Sequence, residues 1–358
     1  MKEIIPHNKP TLGKEEICAI KEVMKDGWIA EGKKVAEFEE EFCKYIGLPP
    51  FYAVALSNGT SALYLALKVL GVKNGDEVIV PTYVCSAVLN AIYMVGAKPI
   101  LTDIEKRDFN ISYQDIIGKV SNKTKSIIVP HTFGVPAGIT LIKKLSIPII
   151  EDCAVALGSK IGNQHVGVFG NIAIFSFYAS KVITTGYGGM LVSKNQEFVE
   201  KARDYREFDC RKKYKPRFNF QMSDLQAAIG KVQLKKLPFF LEKRKKIANE
   251  YYKILPKNKV WPPYDIENKE PNFYRFLIRS NKIRIIKDSL EKEGIKTIIP
   301  IETYELLHRY LNENPAHFPV SENISKTTLS LPIYPSLNSS NIARIKFILK
   351  ENFLKNND

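Results

Sequence analysis

The chain has 358 residues, 45% of them hydrophobic and 25% charged, which is typical of a globular protein with one large and one smaller domain. Its apolar stretches fall short of the roughly 18 residues that a membrane-spanning helix needs, and residues 1–6 lack the apolar core of a signal peptide. Five scattered cysteines without Cys-x-x-Cys spacing argue against disulfides and against a zinc site. We therefore expect a cytoplasmic protein with reduced thiols, no membrane insertion and no metal.

The net charge is +15, and the densest basic cluster lies at residues 211–217. Such an excess suits a nucleic acid, an acidic membrane surface or an anionic small molecule. The cluster itself suits a solvated surface, a phosphorylated ligand or a nucleic acid. No helix-turn-helix, RNA-recognition or zinc-finger pattern accompanies the cluster, so nucleic acid is the least favoured of the three. We predict no nucleic-acid partner.

Short apolar runs alternate with helix-like segments through the first two thirds of the chain. Strands are predicted at residues 53–56, 77–80, 99–101, 126–130, 147–150, 172–177 and 190–192, and helices at 61–70 and 86–95. Continuously apolar strands separated by helices indicate an α/β fold with a mostly parallel sheet that is buried on both faces. Ligands of such sheets bind beyond the carboxyl ends of the strands.

The last third of the chain reads as a smaller α+β domain. A long helix is predicted over residues 222–254, interrupted or kinked at Pro238. A strand at 275–278, a helix at 283–293, a loop or helical turn at 321–326 and a closing helix at 341–353 follow. We place the domains at residues 1–237, with the N-terminal segment in the large domain, and 238–358.

Lys181 and Asp152 each follow an apolar run, at the sheet edge where ligands bind. Lys181 lies between the run at 171–177 and a glycine-rich turn at 186–189, and the run at 147–150 ends in Glu151-Asp152. A lysine amine forms a Schiff base with the aldehyde of pyridoxal phosphate, and a carboxylate keeps the ring nitrogen protonated so that the ring acts as an electron sink. The pair predicts a pyridoxal 5'-phosphate site with Lys181 and Asp152 as catalytic residues.

Residues 57–61, Ser-Asn-Gly-Thr-Ser, lie between a predicted strand and a predicted helix. Gly59 lets the backbone approach a ligand closely, and the amides of Thr60 and Ser61 at a helix N-terminus favour an anion. Ser176 adds a hydroxyl for the same phosphate. Two simpler interpretations stay open, an ordinary N-cap at residues 57–61 and a buried serine bonded to backbone at position 176.

A series of short motifs runs in order along nearly the whole chain. They are IPHNKP (residues 5–10), GWIAEG (27–32), FEEEF (38–42), SNGTSAL (57–63), GDEVIVP (75–81), FSFY (175–178), TTGYGG (184–189), NFQM (219–222), QAAIG (226–230) and LSLP (329–332). In this order and spacing, the chain resembles the DegT/DnrJ/StrS family of pyridoxal-phosphate-dependent sugar aminotransferases.

The resemblance implies a fold-type I transferase with pyridoxal 5'-phosphate as cofactor. It makes Lys181 the Schiff-base lysine and Asp152 the partner of the pyridine nitrogen. It places Gly59, Thr60 and Ser176 at the phosphate. Members of the family are usually homodimers whose active site is shared between the subunits.

Three further cofactor positions follow from the resemblance. Asn219 becomes a phosphate ligand donated by the neighbouring subunit, so a monomer would lack part of the phosphate site. Many members carry Gln or His near the cofactor's phenolic oxygen, where this chain has Val155. Many stack an aromatic ring on the cofactor where this chain has Cys85, a small and soft contact for which Tyr83 is a candidate substitute.

The activity that the resemblance implies is transfer of an amino group from an amino acid, glutamate in the family, to a nucleotide-linked keto-sugar. The product would serve surface polysaccharide or other amino-sugar biosynthesis. The basic excess suits a diphosphate-bearing acceptor, with candidate contacts at Arg211, Lys212, Lys213 and Arg217. Two alternatives stay open. One is a non-enzymatic regulatory or binding protein on the same fold. The other is a sugar dehydratase, although the members that dehydrate lack the lysine present here at position 181.

Two histidines lie near predicted functional segments. His131 follows a predicted strand close to the site, where a structural role is at least as favoured as a catalytic one, and we assign it no catalytic role. His308 could reach the acceptor or a phosphate, with a place on a surface helix as the alternative.

Overall fold

A computed structural model describes residues 3–263, 266 and 268–355, and this part of the chain contains thirteen strands and twelve α-helices. The strands are β1 (Ala53–Leu56), β2 (Glu77–Pro81), β3 (Lys98–Thr102), β4 (Thr124–Pro130), β5 (Ile149–Asp152), β6 (Lys160–Ile161), β7 (Gln164–His165), β8 (Ile172–Ser176), β9 (Gly189–Val192), β10 (Val260–Trp261), β11 (Lys269–Glu270), β12 (Phe276–Arg279) and β13 (Thr328–Leu331). The helices are α1 (Lys14–Asp26), α2 (Lys33–Ile46), α3 (Gly59–Val69), α4 (Ser86–Met94), α5 (Tyr113–Lys119), α6 (Ile139–Ile142), α7 (Gln196–Arg206), α8 (Asp224–Tyr252), α9 (Ile283–Lys292), α10 (Leu307–Tyr310), α11 (Pro319–Thr327) and α12 (Ser339–Lys355).

The central sheet has seven strands in the order β1-β9-β8-β5-β4-β2-β3. The five strands from β8 to β3 pair in parallel, while β9 is antiparallel to both β1 and β8. The prediction of a mostly parallel sheet is confirmed, and every strand predicted for the large domain is present with shifts of at most two residues at either end. Short β6, β7 and β11 form a separate small sheet.

Alternate residues of the strands pack into two different apolar clusters, one on each face of the sheet. Val54 and Leu56 of β1 pack with α3, α4 and α7, whereas Ala53 and Ala55 pack with α2 and α8. Side chains on a strand alternate between faces, so both faces of the sheet are covered by helices. The strand ends are then the part of the sheet that a ligand can reach.

Helix α8 runs without a break for 29 residues, through Pro238. The predicted interruption is therefore wrong, and the kink considered as its alternative stays a prediction. Leu237 and Phe240 are buried on either side of Pro238, and the proline itself is exposed. Proline has no N–H to donate to the carbonyl one turn earlier in the helix, but water can reach this exposed face and hydrogen-bond that carbonyl instead. The predicted domain boundary between residues 237 and 238 falls inside this helix and stays a prediction.

The C-terminal region is built on the antiparallel sheet β10-β12-β13, with α9 and α12 beside it. The predicted strand at 275–278 and the predicted helices at 283–293 and 341–353 correspond to β12, α9 and α12. Ile5 packs into the same apolar cluster and bridges Ile295. The N-terminal segment thus contacts the C-terminal region directly.

Residues 321–326 were expected to form a loop and possibly a helical turn; the loop is wrong, and the helical turn is present as part of a longer helix. They belong to α11, a helix of nine residues that begins at Pro319. The carboxylate of Asp103, from far upstream, accepts hydrogen bonds from the Val320 and Ser321 amides at 2.8 and 2.9 Å. The helix N-terminus is therefore capped by a tertiary contact that local sequence does not reveal.

His308 is fully buried, so neither the ligand contact nor the surface helix considered for it holds. Its backbone N–H donates to Thr82 Oγ1 at 3.0 Å, and that hydroxyl lies 2.8 Å from Nδ1 of its ring. Its Nε2 lies 3.0 Å from Glu322 Oε1. Burial lowers the pKa of His308 and outweighs the opposing effect of Glu322. His308 joins the end of β2 to α11.

All five cysteines are free, as predicted. None of the described helices combines the length and the apolar character that crossing a bilayer requires.

Candidate active site

A cavity of about 520 Å³ opens at the carboxyl ends of the parallel strands, and the two predicted catalytic residues both line it. Asp152 is the last residue of β5, and Lys181 follows the end of the neighbouring β8. Adjacent parallel strands end at the same edge of a sheet, which brings together two residues that are far apart in sequence. Other lining residues include Gly59, Thr60, Cys85 and Ser176.

Asp152 is buried at the floor of this cavity, and its Oδ1 accepts a hydrogen bond from the Ala154 amide at 2.9 Å. Burial raises the pKa of the Asp152 carboxyl, and the Ala154 amide and the positive charge of Lys181 oppose this only in part. A nearby cationic ring nitrogen would favour the ionised carboxylate. The site therefore suits a ligand that brings a positive charge to Asp152.

Lys181 lies in the turn after β8, where its backbone amide donates to the Tyr178 carbonyl at 2.9 Å. Its Nζ is 5.8 Å from the centre of the Tyr274 ring, a cation–π contact. Burial alone would raise the pKa of the Tyr274 phenol. The charges of Arg275 and Lys181 and a hydrogen bond with Ser180 lower it by more than burial raises it, so the net shift is downward. The amine is thus positioned by an aromatic ring that the sequence analysis did not include.

The start of α3 forms the other end of the cavity. Asn58 is the N-cap, and its Oδ1 accepts a hydrogen bond from the Ser61 amide at 2.8 Å. The ordinary cap that was left open is thus present, and it occupies the Ser61 amide. In the described part of the chain, the amides of Gly59 and Thr60 donate to no acceptor, which leaves them available for an anion. Ser61 is buried beneath the cavity lining, so its contact with a phosphate stays a prediction.

Gly59 permits a close approach between α3 and the end of β8. A Cβ at this position would lie 2.9 Å from the Ser176 Cβ and 3.2 Å from its Oγ, closer than side chains normally pack. The Ser176 hydroxyl therefore lies directly beside the amides at the start of α3. The structure brings the predicted residues Gly59, Thr60 and Ser176 together around one small polar space.

Cys85 and Val155, the two unusual cofactor positions, both face cavity space. Cys85 lines the main cavity and a second, adjoining one, whereas Val155 lines only the second. Cys85 is exposed to the cavity, but the surrounding protein still limits hydration of its thiol and raises the pKa, and the charge of Asp152 adds to this effect. Tyr83 packs edge-on against Phe133 at 5.9 Å, within an aromatic cluster, so its ring is held by the protein itself.

Glu151 and His131 form a buried pair just behind the site. His131 Nδ1 accepts the Ala137 amide at 2.9 Å, so the proton is assigned to Nε2, which lies 2.9 Å from Glu151 Oε2. Cys153 has its sulfur close to this pair, but both ring nitrogens of His131 already have partners. These contacts give His131 a structural role and leave it no hydrogen-bonding atom for substrate.

Asn219, the expected contribution to a neighbouring subunit, is exposed and does not line the cavity of its own chain. It lies in the irregular segment between α7 and α8. In the same segment Arg217 Nε binds Asp204 at 3.0 Å, and Arg211 forms an ion pair with Glu207. Two of the four basic residues suggested for the acceptor are thus engaged within the chain.

The second cavity, of about 150 Å³, shares Lys181 and Asp152 with the first and is also lined by Tyr274 and Arg275. Sequence reasoning assigned Arg275 only to a strand. The sequence did contain a signal, because Arg275 is a charged residue directly before the apolar residues 276–278 of β12. What the sequence could not show is that this strand start meets the carboxyl end of β5.

A sequence profile of the DegT/DnrJ/EryC1/StrS aminotransferase family matches residues 10–350. The chain belongs to this family. The family assignment made from the motifs is confirmed. The uncharacterized protein MJ1066 of Methanocaldococcus jannaschii is 32% identical, with the match covering 97% of this chain and 98% of that protein.

Solved structures similar to this DegT/DnrJ/EryC1/StrS family member share its whole fold. PseC of Helicobacter pylori, an aminotransferase in pseudoaminic acid biosynthesis, is 27% identical, with a TM-score of 0.91 over 99% of this chain and 100% of its own. The putative sugar aminotransferase Spr1654 of Streptococcus pneumoniae, in its PLP form, is 26% identical, with a TM-score of 0.91 over 99% of both chains. These matches confirm the predicted fold.

Proposed function

We propose that this protein is an aminotransferase that uses pyridoxal 5'-phosphate to move an amino group from glutamate to a nucleotide-linked keto-sugar. The observation that carries the proposal is the convergence of Lys181 and Asp152 in one cavity, with the free amides of Gly59 and Thr60 at its other end. Family membership and the PLP-form neighbour Spr1654 support the choice of cofactor.

The residues present fit such a cofactor. Gly59 leaves space beside Ser176 that a Cβ would fill, and the adjoining helix amides suit a phosphate. Asp152, a buried carboxylate whose pKa is raised by burial, suits a cationic ring nitrogen. Lys181 supplies the amine that an aldehyde requires. When bound, the cofactor supplies an electron sink for the charge that develops at the donor's α-carbon.

Each residue of the chain then has a separate task. Lys181 Nζ takes the proton from the α-carbon of the amino acid and later delivers one to the sugar carbon that receives the amino group. Asp152 holds the proton on the ring nitrogen. The amides of Gly59 and Thr60, with the Ser176 hydroxyl, would hold the phosphate, and this anchoring would orient the cofactor towards Lys181 and Asp152.

The proposal extends to a cytoplasmic homodimer with a shared site. Asn219 is exposed on its own subunit, which is what a residue donated to a partner requires. For the acceptor, Lys212 and Lys213 are exposed and engaged in no ion pair of the described residues, so they remain candidate contacts for a diphosphate. The product would serve surface polysaccharide or other amino-sugar biosynthesis.

Borohydride trapping tests the proposal. Protein loaded with pyridoxal 5'-phosphate and reduced should carry the cofactor on the peptide that contains Lys181, as shown by mass mapping. Lys181→Ala should abolish transamination with glutamate and a panel of nucleotide-linked keto-sugars, whereas Lys194→Ala, at an exposed lysine, should not. Full turnover by Lys181→Ala, or an unlabelled peptide from fully loaded protein, would refute the assignment.

A further inference from the structure

Arg275 is a cation at the active site that no charge in the described part of the chain neutralises. Its Nη1 lies 3.4 Å from His7 Nε2 and 3.5 Å from Ser330 Oγ. The guanidinium also lies over the rings of Phe133 and Tyr274, at 5.5 and 5.2 Å from their centres. Within the described residues, no carboxylate is within ion-pair distance of it. These neutral neighbours orient the Arg275 guanidinium but do not neutralise its charge.

His7 does not alter this balance. Burial, together with the nearby charges of Arg275 and Arg244, lowers the pKa of His7 to about 3. The imidazole is therefore neutral at physiological pH and serves as an acceptor for the guanidinium. Arg244 is itself buried and donates to the carbonyl of Ile333 at 2.8 Å. Arg244 and Arg275 thus place two positive charges near each other, and neither forms an ion pair with a described residue, so an anion would be stabilised beside Arg275.

One edge of the guanidinium has no acceptor. The Nε of Arg275 is buried without a hydrogen-bond partner, and only Nη1 makes hydrogen bonds in the described structure. Buried donors in native proteins almost always have partners. The Nε atoms of Arg206 and Arg244 are also buried without one, but of these three arginines only Arg275 lines a cavity that contains Lys181 and Asp152, where a ligand could supply the acceptor. The Nε and Nη2 donors of an arginine match the two oxygens of a carboxylate in a forked pair. The shape of the missing group is that of a carboxylate.

The position of Arg275 indicates which of the two substrates, the amino donor or the sugar acceptor, it would contact. It lines the cavity of about 150 Å³ that also contains Lys181 and Asp152. That space is well below the 520 Å³ of the main cavity and suits a small acid better than a nucleotide-linked sugar. In an amino acid, the α-carboxylate is one bond from the carbon that Lys181 would deprotonate, so the cation that binds it has to lie near the lysine.

We propose that Arg275 binds the α-carboxylate of the amino donor. The inference rests on the proposed function, and it makes the second cavity the donor subsite. It predicts that the enzyme requires donors with a free α-carboxylate. Arg279 is a matched control. It is the last residue of β12, the strand that Arg275 directly precedes, and it is also partly buried and also contacts an aromatic ring, Phe109 at 5.8 Å, but it lines a different cavity.

The test compares L-glutamate with L-isoglutamine, its α-amide, and with L-glutamine, its γ-amide, as donors. The rate of the donor half-reaction is followed from the cofactor spectrum for the wild type, Arg275→Gln and Arg279→Gln. Loss of a charge-assisted pair should weaken glutamate use about 10- to 100-fold in Arg275→Gln. The preference for glutamate over isoglutamine should disappear in that variant and persist in Arg279→Gln. Arg275→Lys, which keeps the charge but not the fork, should be intermediate.

A binding experiment without turnover completes the test. Calorimetry should show that glutarate, which has the carboxylates of glutamate and no amine, binds the loaded wild type and Arg279→Gln but binds Arg275→Gln at least about 10-fold more weakly. The proposal would be overturned if Arg275→Gln kept the wild-type preference for glutamate over isoglutamine, that is, if its rates with both donors fell equally. It would also be overturned if only the rate with glutamine changed. A wild type that transaminates no amino acid would instead refute the proposed function.

Discussion

Glu151 and Asp152 are consecutive residues at the end of one strand, yet their carboxylates have opposite surroundings. Glu151 accepts hydrogen bonds from His131 and from three backbone amides, those of Gly167, Phe169 and Gly170, and is fully buried. Asp152 accepts one, from the Ala154 amide, and faces the cavity. Side chains of adjacent strand residues point to opposite faces. One carboxylate therefore stabilises the fold, and the other is available to a ligand.

We expect Glu151→Gln to destabilise the protein by about 2–4 kcal/mol at neutral pH, because the amide cannot accept all four hydrogen bonds. Burial raises the pKa of Glu151, but His131 and the Gly170 and Gly167 amides lower it below the ordinary 4.5. Its contribution is therefore present above the pKa of the unfolded chain and is lost as the pH falls through the lower folded value. Urea unfolding at about pH 7 and about pH 4 should show the deficit shrinking in acid. Equal stability of variant and wild type at neutral pH would contradict this.

Asp152→Asn should separate stability from activity. Burial holds the pKa of Asp152 above its ordinary 3.8, so this carboxyl loses stabilising free energy as the pH rises through its folded value. The cofactor-free variant should therefore melt at the same temperature as the wild type or higher at neutral pH. Turnover should fall by about 10²-fold or more, because an amide cannot hold a positive charge on the ring nitrogen. Normal turnover by Asp152→Asn would contradict the catalytic role proposed for Asp152.

Gly59→Ala should weaken cofactor binding by about 10-fold or more, because a Cβ 2.9 Å from that of Ser176 must push the serine out of place. Titration of the cofactor-free protein, followed by absorbance, measures the dissociation constant. Gly118→Ala is the control, since a Cβ there meets nothing within 4 Å. As a helical glycine, it should gain about 0.5–1 kcal/mol of stability and leave cofactor binding unchanged. Equal affinities of the two variants would rule out the close approach.

His7→Gln should flatten the acid side of the stability profile. His7 has a folded-state pKa of about 3, well below its ordinary 6.5. Between these two pKa values, His7 is protonated in the unfolded chain but not in the folded protein. Its contribution to the free energy of unfolding is therefore complete above about pH 6.5 and is lost progressively as the pH falls towards 3. Melting curves between about pH 7 and pH 5 should show a smaller loss for the variant, by about 1–2 kcal/mol. His317→Gln, at an exposed histidine, is the control, and a variant that loses as much as the wild type contradicts the prediction.

The sequence was sufficient for the large sheet because its strands are continuously apolar and bounded by clear helix signals. Lys181 and Asp152 could be paired from sequence since each ends a strand, and strand ends of a parallel sheet share an edge. Arg275 could not be placed, because only the tertiary fold brings β12 to that edge. The same reason explains the failure at α11, where the cap is supplied by Asp103. His308 looked exposed because its acceptor, Glu322, and the Thr82 hydroxyl come from distant segments.

The contacts of Thr82 with His308 and of Asp103 with Ser321 fasten the ends of β2 and β3 to the C-terminal region. Both are buried hydrogen bonds, and separating the two parts would expose them. Relative rotation of these two parts of the chain during turnover is therefore costly on this side. We expect substrate exchange to proceed through rearrangement of side chains and loops at the cavity mouth, with the same overall dimensions in solution before and after substrate binds.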